Sequence, residues 1–349
     1  MPPETAGMNR DHPIDVSILV VSYNTRALTL AAIASAIRET AALATEIIVV
    51  DNASTDGSAA AIAEAFPSVR LVASATNLGF ARANNLAARF ARGRFLLLLN
   101  PDTVVLDRAV ERLHAFALAR PSARIWGGRT LFADGRLNPA SCWGRMTPWN
   151  LLCRATGLTA IFRDTETFNG EAYGGWSRDS LREVDIVSGC FLMIERAFWS
   201  ELGGFDPAFF MYGEEADLCL RGRTLGARPA VTPDATIVHL GGASETARTA
   251  KMVKLLSAKA ALVARHFHPA TRSLGSALLT AWPLSRLAAT AARAAFTGNA
   301  AHRDAAATWR EIWRQRDLWR HGYRKPAAAS ASIAPAAADA SLPTPRTRF

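Results

Sequence analysis

Three carboxylates stand close together in the sequence, at Glu214, Glu215 and Asp217. Gly213 precedes them and a series of leucines follows, a pattern that predicts the first turn of a helix. The helix dipole stabilises anions at this end, so we expect these side chains to stay ionised at neutral pH. An ionised carboxylate at the edge of a cleft can act as a general base. Acidic residues also favour N-terminal helix turns for structural reasons alone, and the local sequence leaves both explanations open.

These carboxylates end a longer predicted unit. Ile186–Glu195 predicts an apolar strand and Arg196–Leu202 a short helix. The glycines of Gly203–Asp206 then predict a sharp turn, which delivers the aromatic loop Phe209–Tyr212 directly before Gly213. The strand, helix and turn must therefore position the acidic residues.

Four strand–helix units come before this one. The predicted strands are Val16–Ser22, Glu46–Val50, Val69–Ala73 and Phe95–Leu99. Helices are predicted from Leu28 to Ile37, up to Phe66, from Ala81 to Phe90 and from Asp107 to Leu118. The first strand is apolar without alternation, which is typical of a buried parallel strand. The succession predicts a mostly parallel, doubly wound α/β sheet flanked by helices, with ligands at the carboxyl ends of the strands.

Each of the four strands ends near polar residues, namely Ser22–Asn24, Asp51–Asn52, Asn77 and Asn100–Asp102. Helix capping and turn chemistry explain any one of these, but the repetition favours a ligand crevice. No GxGxxG follows the first strand and the chain has no GxxxxGK[ST], so neither a nicotinamide site nor a P-loop is supported. Oxygen ligands such as the Asp102 carboxylate would suit Mg²⁺ or Mn²⁺ between two phosphates.

Length and composition limit the class of protein. The 349 residues are 50% hydrophobic, enough for one large domain with an appendage or for two domains. The four cysteines form no CxxC pair, so we expect reduced core residues of a cytoplasmic protein. Residues 1–13 lack an apolar stretch, and we expect a disordered N-terminus without a signal peptide.

Six ordered motifs carry a resemblance to a known family. They are Val21–Asn24, Ile48–Gly57, Asn77–Ala81, Leu98–Asp102, Gly203–Asp206 and Tyr212–Cys219. In these motifs, from about Asp15 to Ser244, the chain resembles family 2 glycosyltransferases of the GT-A fold, in their rhamnosyltransferase-like branch. The resemblance implies an inverting transfer of a sugar from a nucleoside diphosphate donor, with Mg²⁺ or Mn²⁺ as cofactor.

The resemblance also implies roles for single residues. Asp51 matches the aspartate that recognises the nucleobase, and Asp102 matches the ligand of the metal and the diphosphate. Asn100 stands where the family usually has a second acid, which predicts a weaker metal site. The resemblance further implies a donor nucleotide-sugar site formed by Ser22, Tyr23, Asn24, Asp51, Asn77, Asn100 and Asp102.

For the catalytic base, Glu215 matches the second acid of the family's acidic pair, and Glu214 stays open as the alternative. His239 matches a histidine that the family uses as a metal ligand near the diphosphate. A lone histidine after an apolar strand is more often a core residue, so this alternative also stays open. The glycines Gly241 and Gly242 that follow would permit close approach of the backbone.

Residues between Asp102 and Val184 show little periodicity, and we expect a loop-rich region that covers the acceptor side. It holds five aromatic residues that suit sugar rings or simple packing, namely Trp126, Trp143, Trp149, Tyr173 and Trp176.

The last part of the chain is basic and helical. Fifteen lysines and arginines face three acids between Arg248 and Lys325, so most of the net charge of +10 lies there. Helices are predicted over Ala247–His266, Leu274–Phe296 and Ala300–Trp319; Pro283 and two arginines argue against a membrane span in the second. Tryptophans beside arginines fit a helix on an anionic membrane, and a helical subdomain packed on the catalytic domain fits equally well.

The predicted organisation is a disordered segment 1–13, a catalytic domain 14–244, a basic helical region 245–325 and a disordered Ala/Pro-rich tail 326–349. The predicted activity is a metal-dependent transfer, with dTDP-rhamnose as the expected donor and a lipid-linked or polysaccharide acceptor of the cell envelope. We expect a cytoplasmic enzyme, peripheral on the inner face of the plasma membrane, that binds no nucleic acid. The alternative is an inactive protein of the same fold whose basic helices bind membrane or nucleic acid.

Overall fold

The structure is a computed structural model that describes residues 14–241 and 248–323. The predictions made for residues 1–13, for Gly242–Ser244 and for the tail 326–349 therefore lie outside the described residues. Twelve strands and twelve α-helices are described in these two ranges.

The first half of the sheet is parallel, as predicted. Its strands are β1 Val16–Ser22, β2 Thr45–Asp51, β3 Arg70–Ala73 and β4 Phe95–Leu99, in the spatial order β3-β2-β1-β4. The connecting helices are α1 Arg26–Arg38, α2 Ser58–Ala65 and α3 Gly79–Ala88. Every residue of β1 and β4 is buried, because each apolar strand has neighbours on both sides and packing on both faces.

The second half adds antiparallel pairs to the same sheet. Its strands are β5 Thr103–Val105, β6 Ile125–Leu131, β7 Leu137–Asn138, β8 Cys142–Trp143, β9 Arg182–Glu183, β10 Ile186–Val187, β11 Phe191–Glu195 and β12 Ala230–His239. The order continues from β4 through β11, β6 and β12 to β5, whereas β8 and β10 form a separate pair. Within this half only β6 and β12 run parallel to each other.

Two predictions for this half were wrong. The strand expected over Ile186–Glu195 is two strands, because residues 188–190 turn the chain out of β10 before β11 enters the main sheet. The region after Asp102 is less loop-rich than expected, since β6 crosses the core of the sheet between β11 and β12. Two glycines in the middle of β6 interrupt its apolar pattern. Glycine is required there because side chains of Val187 and Phe191 and the carbonyl of Ala235 leave no room for a Cβ atom.

The other helices flank the sheet or form the C-terminal region. They are α4 Ala109–Ala119, α5 Pro148–Thr156, α6 Leu158–Ile161, α7 Arg196–Leu202, α8 Glu214–Thr224, α9 Arg248–His266, α10 Pro269–Thr297, α11 Ala300–Arg314 and α12 Arg316–Trp319. The predicted helix over Ala300–Trp319 is thus interrupted at Gln315.

The C-terminal helices are packed on the rest of the chain. Leu256, Val263 and Phe267 of this region share a hydrophobic core with Leu151 of α5. Trp319 is fully buried, with its indole N–H donating to the carbonyl of Ile312, and Trp309 and Trp313 lie against the same core. The ring of Trp319 is therefore used in packing, whereas Trp309 and Trp313 are half-buried, and binding of these helices to a membrane stays a prediction. Among the described residues no helix is both long and apolar enough to cross a membrane.

Candidate active site

A cleft of about 1250 Å³ lies at the carboxyl ends of the parallel strands. Tyr23, Asn52 and Asn100 line it directly after β1, β2 and β4, and His239 lines it at the end of β12. The far wall is formed by Glu214 and Glu215 at the start of α8 and by one side of α9. The cleft therefore brings residues from both halves of the sheet to one place, as the strand order of an open α/β sheet requires.

The first two loops of the cleft hold each other in place. The Ser22 hydroxyl is fully buried against the Thr29 hydroxyl at 3.0 Å. Asn24 has a left-handed backbone, and its side-chain carbonyl accepts a hydrogen bond of 2.8 Å from the backbone N–H of Thr55. Ser22 and Asn24 thus shape the loop, whereas Tyr23 between them lines the cleft and is 39% exposed.

Asp51 is almost wholly buried at the end of β2. Its Oδ2 accepts a hydrogen bond of 3.1 Å from the backbone N–H of Ser54, but its Oδ1 is buried without a partner. A buried acceptor without a donor is costly. The Asp51 carboxylate therefore keeps one oxygen without a donor, but Asp51 is not among the residues that line the cleft, whereas its neighbour Asn52 is.

Asn77 helps to connect two loops of the cleft. Its side-chain carbonyl accepts from the Asn52 amide at 3.0 Å and from the backbone N–H of Gly79 at 2.9 Å. Gly79 has φ +77°, and a Cβ atom there would lie 2.3 Å from the carbonyl oxygen of Phe210. Only glycine permits this approach, which fixes the aromatic loop before α8 against the start of α3.

Asn100, Asp102 and His239 form the next part of the cleft. The Nε2 atom of His239 lies 3.4 Å from Oδ1 of Asp102 and 3.4 Å from the amide nitrogen of Asn100. β5 pairs with β12 so that Thr103 stands opposite His239, which explains how residues so far apart in sequence meet. His239 is therefore not a core residue, which was the alternative, because its ring lines the cleft.

The ionisation of this pair follows from burial and contact. Burial opposes the charged form of His239, but Cys190 and the hydrogen bond to Asp102 outweigh it and raise the pKa of His239 to about 10. Burial also opposes the Asp102 carboxylate, yet His239 and backbone N–H groups hold its pKa below the usual value. Without a metal the two side chains therefore form an ion pair.

The residues fit a divalent cation that takes most of its ligands from a substrate. Within residues 14–241 and 248–323 no group of three or more His, Cys, Asp or Glu side chains could enclose a metal. Asp102 offers one carboxylate, and Oδ1 of Asn100 is buried without a partner beside it. Mg²⁺ is often held by one or two carboxylates and completed by phosphate oxygens and water, which matches this partial set.

Burial acts against the helix dipole at Glu214 and Glu215. Glu214 is 3% exposed, and both side chains have an Oε2 atom that is buried without a partner. Burial, and for Glu214 also repulsion from Glu215, raises the pKa of each carboxyl above its usual value. For this pair desolvation therefore exceeds the effect of the helix dipole, and ionisation at neutral pH stays a prediction.

Asp217, in contrast to the two glutamates, has a structural role. Its Oδ1 lies 2.9 Å from Nε2 of His266 and its Oδ2 accepts from Arg221 at 2.7 Å. Burial opposes the charge, but these contacts keep the pKa of Asp217 below its usual value, so this carboxylate does stay ionised. Asp217 ties α8 to α9 and does not line the cleft.

Of the five aromatic residues expected on the acceptor side, only Trp143 lines the cleft. Trp126 belongs to β6, is 1% exposed and packs edge-on against Phe95. The proposed sugar-binding role is therefore wrong for Trp126, because its ring fills the core of the sheet. Tyr173 packs edge-on against Trp176, and its hydroxyl accepts from the backbone N–H of Asp185.

Sequence reasoning missed the contribution of α9 and of a buried ionic cluster. Glu171, Lys259 and Arg154 line the cleft together, with Lys259 and Arg154 both bonded to the Glu171 carboxylate. Burial opposes its charge, but the two cations lower the pKa of Glu171 to about 2. The lysine spacing of α9 was a usable signal, since residues 251, 254, 255, 258, 259 and 262 share one face of a helix.

Residues 17–185 match the model of the family described as Glycosyl transferase family 2. The chain is 27% identical over 212 residues to the N-acetylglucosaminyl-diphospho-decaprenol L-rhamnosyltransferase of Mycobacterium tuberculosis, a match that covers 56% of this chain and 68% of that protein. It is 29% identical over 211 residues to the O-antigen biosynthesis protein RfbC of Myxococcus xanthus, covering 58% of this chain and 15% of that one.

Among solved structures, the mannosyltransferase PcManGT from Pyrobaculum calidifontis, in complex with GDP-Man and Mn²⁺, superposes with a TM-score of 0.54. The match covers 91% of each chain at 20% sequence identity. At this identity the likeness concerns the fold alone.

Proposed function

Since the chain belongs to glycosyl transferase family 2, in its rhamnosyltransferase-like branch, and has the GT-A fold, we propose that it is an inverting, metal-dependent glycosyltransferase. It takes a sugar from a nucleoside diphosphate donor and transfers it to a lipid-linked or polysaccharide acceptor in cell-envelope glycan synthesis. The main support for the proposal is a single cleft. Side chains that can bind the donor nucleotide line one wall, and two glutamates line the other.

The nucleotide occupies the first wall of the cleft in this proposal. Oδ1 of Asp51 accepts an N–H of the base, and Tyr23 and Asn77 stand where the base and ribose pass. Oδ1 of Asn100 is free to accept a hydroxyl of the ribose. Asp102 and His239 would hold Mg²⁺ or Mn²⁺ with the diphosphate. When bound, this cation neutralises the negative charge of the departing diphosphate.

The acceptor hydroxyl lies at the second wall, where Glu215 takes its proton. The oxygen then forms a bond to the anomeric carbon while the bond from that carbon to the diphosphate breaks. Burial supports this role, since a carboxylate with a raised pKa holds a proton more strongly than an exposed one. Glu215 is the better candidate because Glu214 is more deeply buried and is repelled by its neighbour.

For the donor we propose dTDP-rhamnose. The support is the name of the mycobacterial relative, which is a rhamnosyltransferase acting on a diphospho-decaprenol acceptor. A lipid-linked acceptor further supports a cytoplasmic enzyme that binds the inner face of the membrane peripherally.

The test is a nucleotide-sugar panel measured by thermal shift and by donor hydrolysis, with Mn²⁺ and with EDTA. A donor that binds only the native state raises the melting temperature. We expect dTDP-rhamnose to give the largest shift and to be hydrolysed slowly only with metal. Binding of a donor without hydrolysis, or hydrolysis unaffected by EDTA, would count against a metal-dependent transferase.

A further inference from the structure

The aromatic loop Phe209–Tyr212 leads directly to the two glutamates of the cleft. It ends at Gly213, after which α8 begins with Glu214, and residues 210–215 all line the cleft. Gly213 occupies the N-cap position and has no side chain with which to cap the helix. The position of the first turn of α8 therefore depends on the loop that precedes it.

The end of this loop has a backbone conformation that needs support. Tyr212 has φ +71°, and Gly213 follows with φ +88°. Glycine adopts the left-handed region freely, whereas a residue with a Cβ atom does so at an energetic cost. Such a conformation persists only where the surrounding structure holds it. Contacts to the loop directly before the glutamates therefore matter for the geometry of the site.

Two successive carbonyl groups of the loop are held from opposite sides. The carbonyl of Phe210 accepts a hydrogen bond of 2.8 Å from the backbone N–H of Phe80 in α3. The carbonyl of Met211 accepts a hydrogen bond from the hydroxyl of Tyr323, which follows α12. This second contact fixes the peptide group that leads into Tyr212.

Tyr323 is itself held on α9. Gly322 before it has φ +73°, and a Cβ atom there would lie 2.8 Å from the backbone nitrogen of Ala261, so the approach requires glycine. The Tyr323 ring packs edge-on against Phe209, with ring centroids 5.7 Å apart. Its hydroxyl oxygen also lies 3.3 Å from the carbonyl oxygen of Lys254. Both carbonyls are acceptors, so the single hydroxyl hydrogen connects the loop with α9.

The same packing continues to the start of α8. A Cβ atom at Gly213 would lie 3.0 Å from the Cβ of Ala258 in α9 and 3.1 Å from Cε1 of Phe209. The residue before Glu214 is thus enclosed by α9 and by the ring that Tyr323 contacts. A shift of the Met211 peptide group would therefore be passed on to the glutamates.

We propose that Tyr323 is a positioning residue of the active site, whose hydroxyl holds the peptide group between Met211 and Tyr212 and so keeps Glu215 in place at the cleft. The inference rests on the proposed function, which makes Glu215 the base. Tyr323 does not line the cleft and acts through the loop.

The test compares Tyr323→Phe with the native full chain. This change removes the hydroxyl and keeps the ring against Phe209. The matched control is Ser257→Ala, which removes a buried hydroxyl of α9 that lies outside the cleft and donates to the carbonyl of Val253 at 2.9 Å. For each of the three proteins we would measure amide hydrogen exchange by mass spectrometry, dTDP affinity with Mn²⁺, and the kcat and KM of dTDP-rhamnose hydrolysis, all well below the melting temperature.

We expect Tyr323→Phe to exchange faster than the native chain over residues 209–217, while peptides from β1 and β4 exchange as before. Its kcat should fall at least about tenfold, since a misplacement of about 1 Å can cost roughly a hundredfold in rate. The KM for the donor and the dTDP affinity should not change, because the first wall of the cleft is untouched. Ser257→Ala should keep the native kcat and the native exchange over residues 209–217.

Three results would overturn the proposal. Native exchange over residues 209–217 in Tyr323→Phe would mean that the hydroxyl does not hold the loop. Faster exchange with an unchanged kcat would mean that the loop does not position the base. A loss of dTDP affinity as large as the loss of kcat would mean that the hydroxyl acts on the nucleotide wall. If the native chain does not hydrolyse dTDP-rhamnose, the proposed function is affected, and the exchange comparison decides separately whether Tyr323 holds the loop.

Discussion

At the scale of single residues, the chemistry depends on how deeply each carboxylate is buried. Glu214 and Glu215 start α8, where an exposed carboxylate would be held ionised. Burial, and for Glu214 also repulsion from Glu215, reverses this and raises both pKa values. Asp217, two residues later, keeps a low pKa because His266 and Arg221 bind it.

We expect Glu215→Gln to lower turnover by roughly a hundredfold or more, the usual scale of a lost general base, and to leave donor binding nearly unchanged. In the native enzyme the base must be ionised, so turnover should rise with pH through a pKa above the ordinary glutamate value of 4.5. The measurement is kcat against pH, with donor affinity measured in parallel.

Glu214→Gln is the matched comparison for this prediction. This change should leave the acid limb of the kcat profile nearly in place, because burial is the cause that raises the pKa of Glu215. If Glu214→Gln abolishes turnover while Glu215→Gln does not, the base is the other glutamate.

Asp102→Asn should abolish metal-dependent donor binding, because it removes the carboxylate that would hold the cation against the diphosphate. The measurement is calorimetric titration of dTDP with and without Mn²⁺. Asp134→Asn removes an exposed carboxylate paired with Arg136 and serves as the control. Manganese-dependent affinity retained in the Asp102 variant would contradict the assignment.

At the scale of elements, α9 holds the second wall of the cleft in place. It reaches α8 through His266 and Asp217, and it reaches the segment before β9 through Lys259 and Glu171. Burial lowers the pKa of Lys259 even beside Glu171, since Arg154 repels it. Glu171 has two cationic partners and Lys259 only one anionic partner, so the carboxylate is the member of the cluster that gains most from the contacts.

We expect Glu171→Gln to reduce the free energy of unfolding by about 3 to 5 kcal/mol, because it leaves the buried Lys259 and the half-buried Arg154 without their anion. Glu166→Gln breaks an exposed pair with Arg182 and should cost at most about 1 kcal/mol. Urea unfolding of both variants and the native chain gives the comparison. Equal losses in the two variants would mean that the buried cluster contributes no more to the free energy of unfolding than the exposed ion pair does.

The pH dependence of the same measurement follows from the direction of the shift. The folded-state pKa of Glu171 is lowered to about 2, from 4.5 for an ordinary glutamate. Its stabilisation is therefore fully present above 4.5 and is lost as the pH falls towards 2. The Glu171→Gln profile should be flatter in this window than the native one.

At the scale of the whole molecule, the basic helices are packed on the rest of the chain, and α9 among them lines the cleft. Leu256, Val263 and Trp282 of α9 and α10 are buried in a core that they share with α5. Removing these helices would expose that core and take away the α9 wall of the cleft. A membrane test must therefore use the full chain and change only exposed residues.

We expect the full chain to sediment with phosphatidylglycerol vesicles at low salt and less at high salt, since each lysine or arginine near an anionic surface contributes on the order of 1 kcal/mol. Leu284 and Phe296 of α10 are exposed apolar residues in this basic region, and Phe296 is 93% exposed. Leu284→Ser/Phe296→Ser should weaken sedimentation without changing the affinity for dTDP. Equal binding to neutral vesicles, or loss of binding to modest amounts of DNA, would exclude an anionic membrane as the partner.

The sequence by itself determined those elements whose signals are local. β1, β4 and α7 begin and end where the sequence predicted, because continuous apolar runs and a glycine pair mark them. The polar residues after β1, β2 and β4 were found in the same way. Parallel strands bring their carboxyl ends to one edge, so the nucleotide wall of the cleft could be inferred without coordinates.

Only the tertiary structure decided the second wall. Whether Glu215 is ionised depends on its desolvation at the wall that α9 completes, and Ala258 is more than forty positions away in the chain. The place of β6 depends on Val187, Phe191 and Ala235, which close around its glycines. The burial and pairing of charges depend on residues that are distant in sequence. The hydrophobic periodicity of the sequence does not show which residues these are.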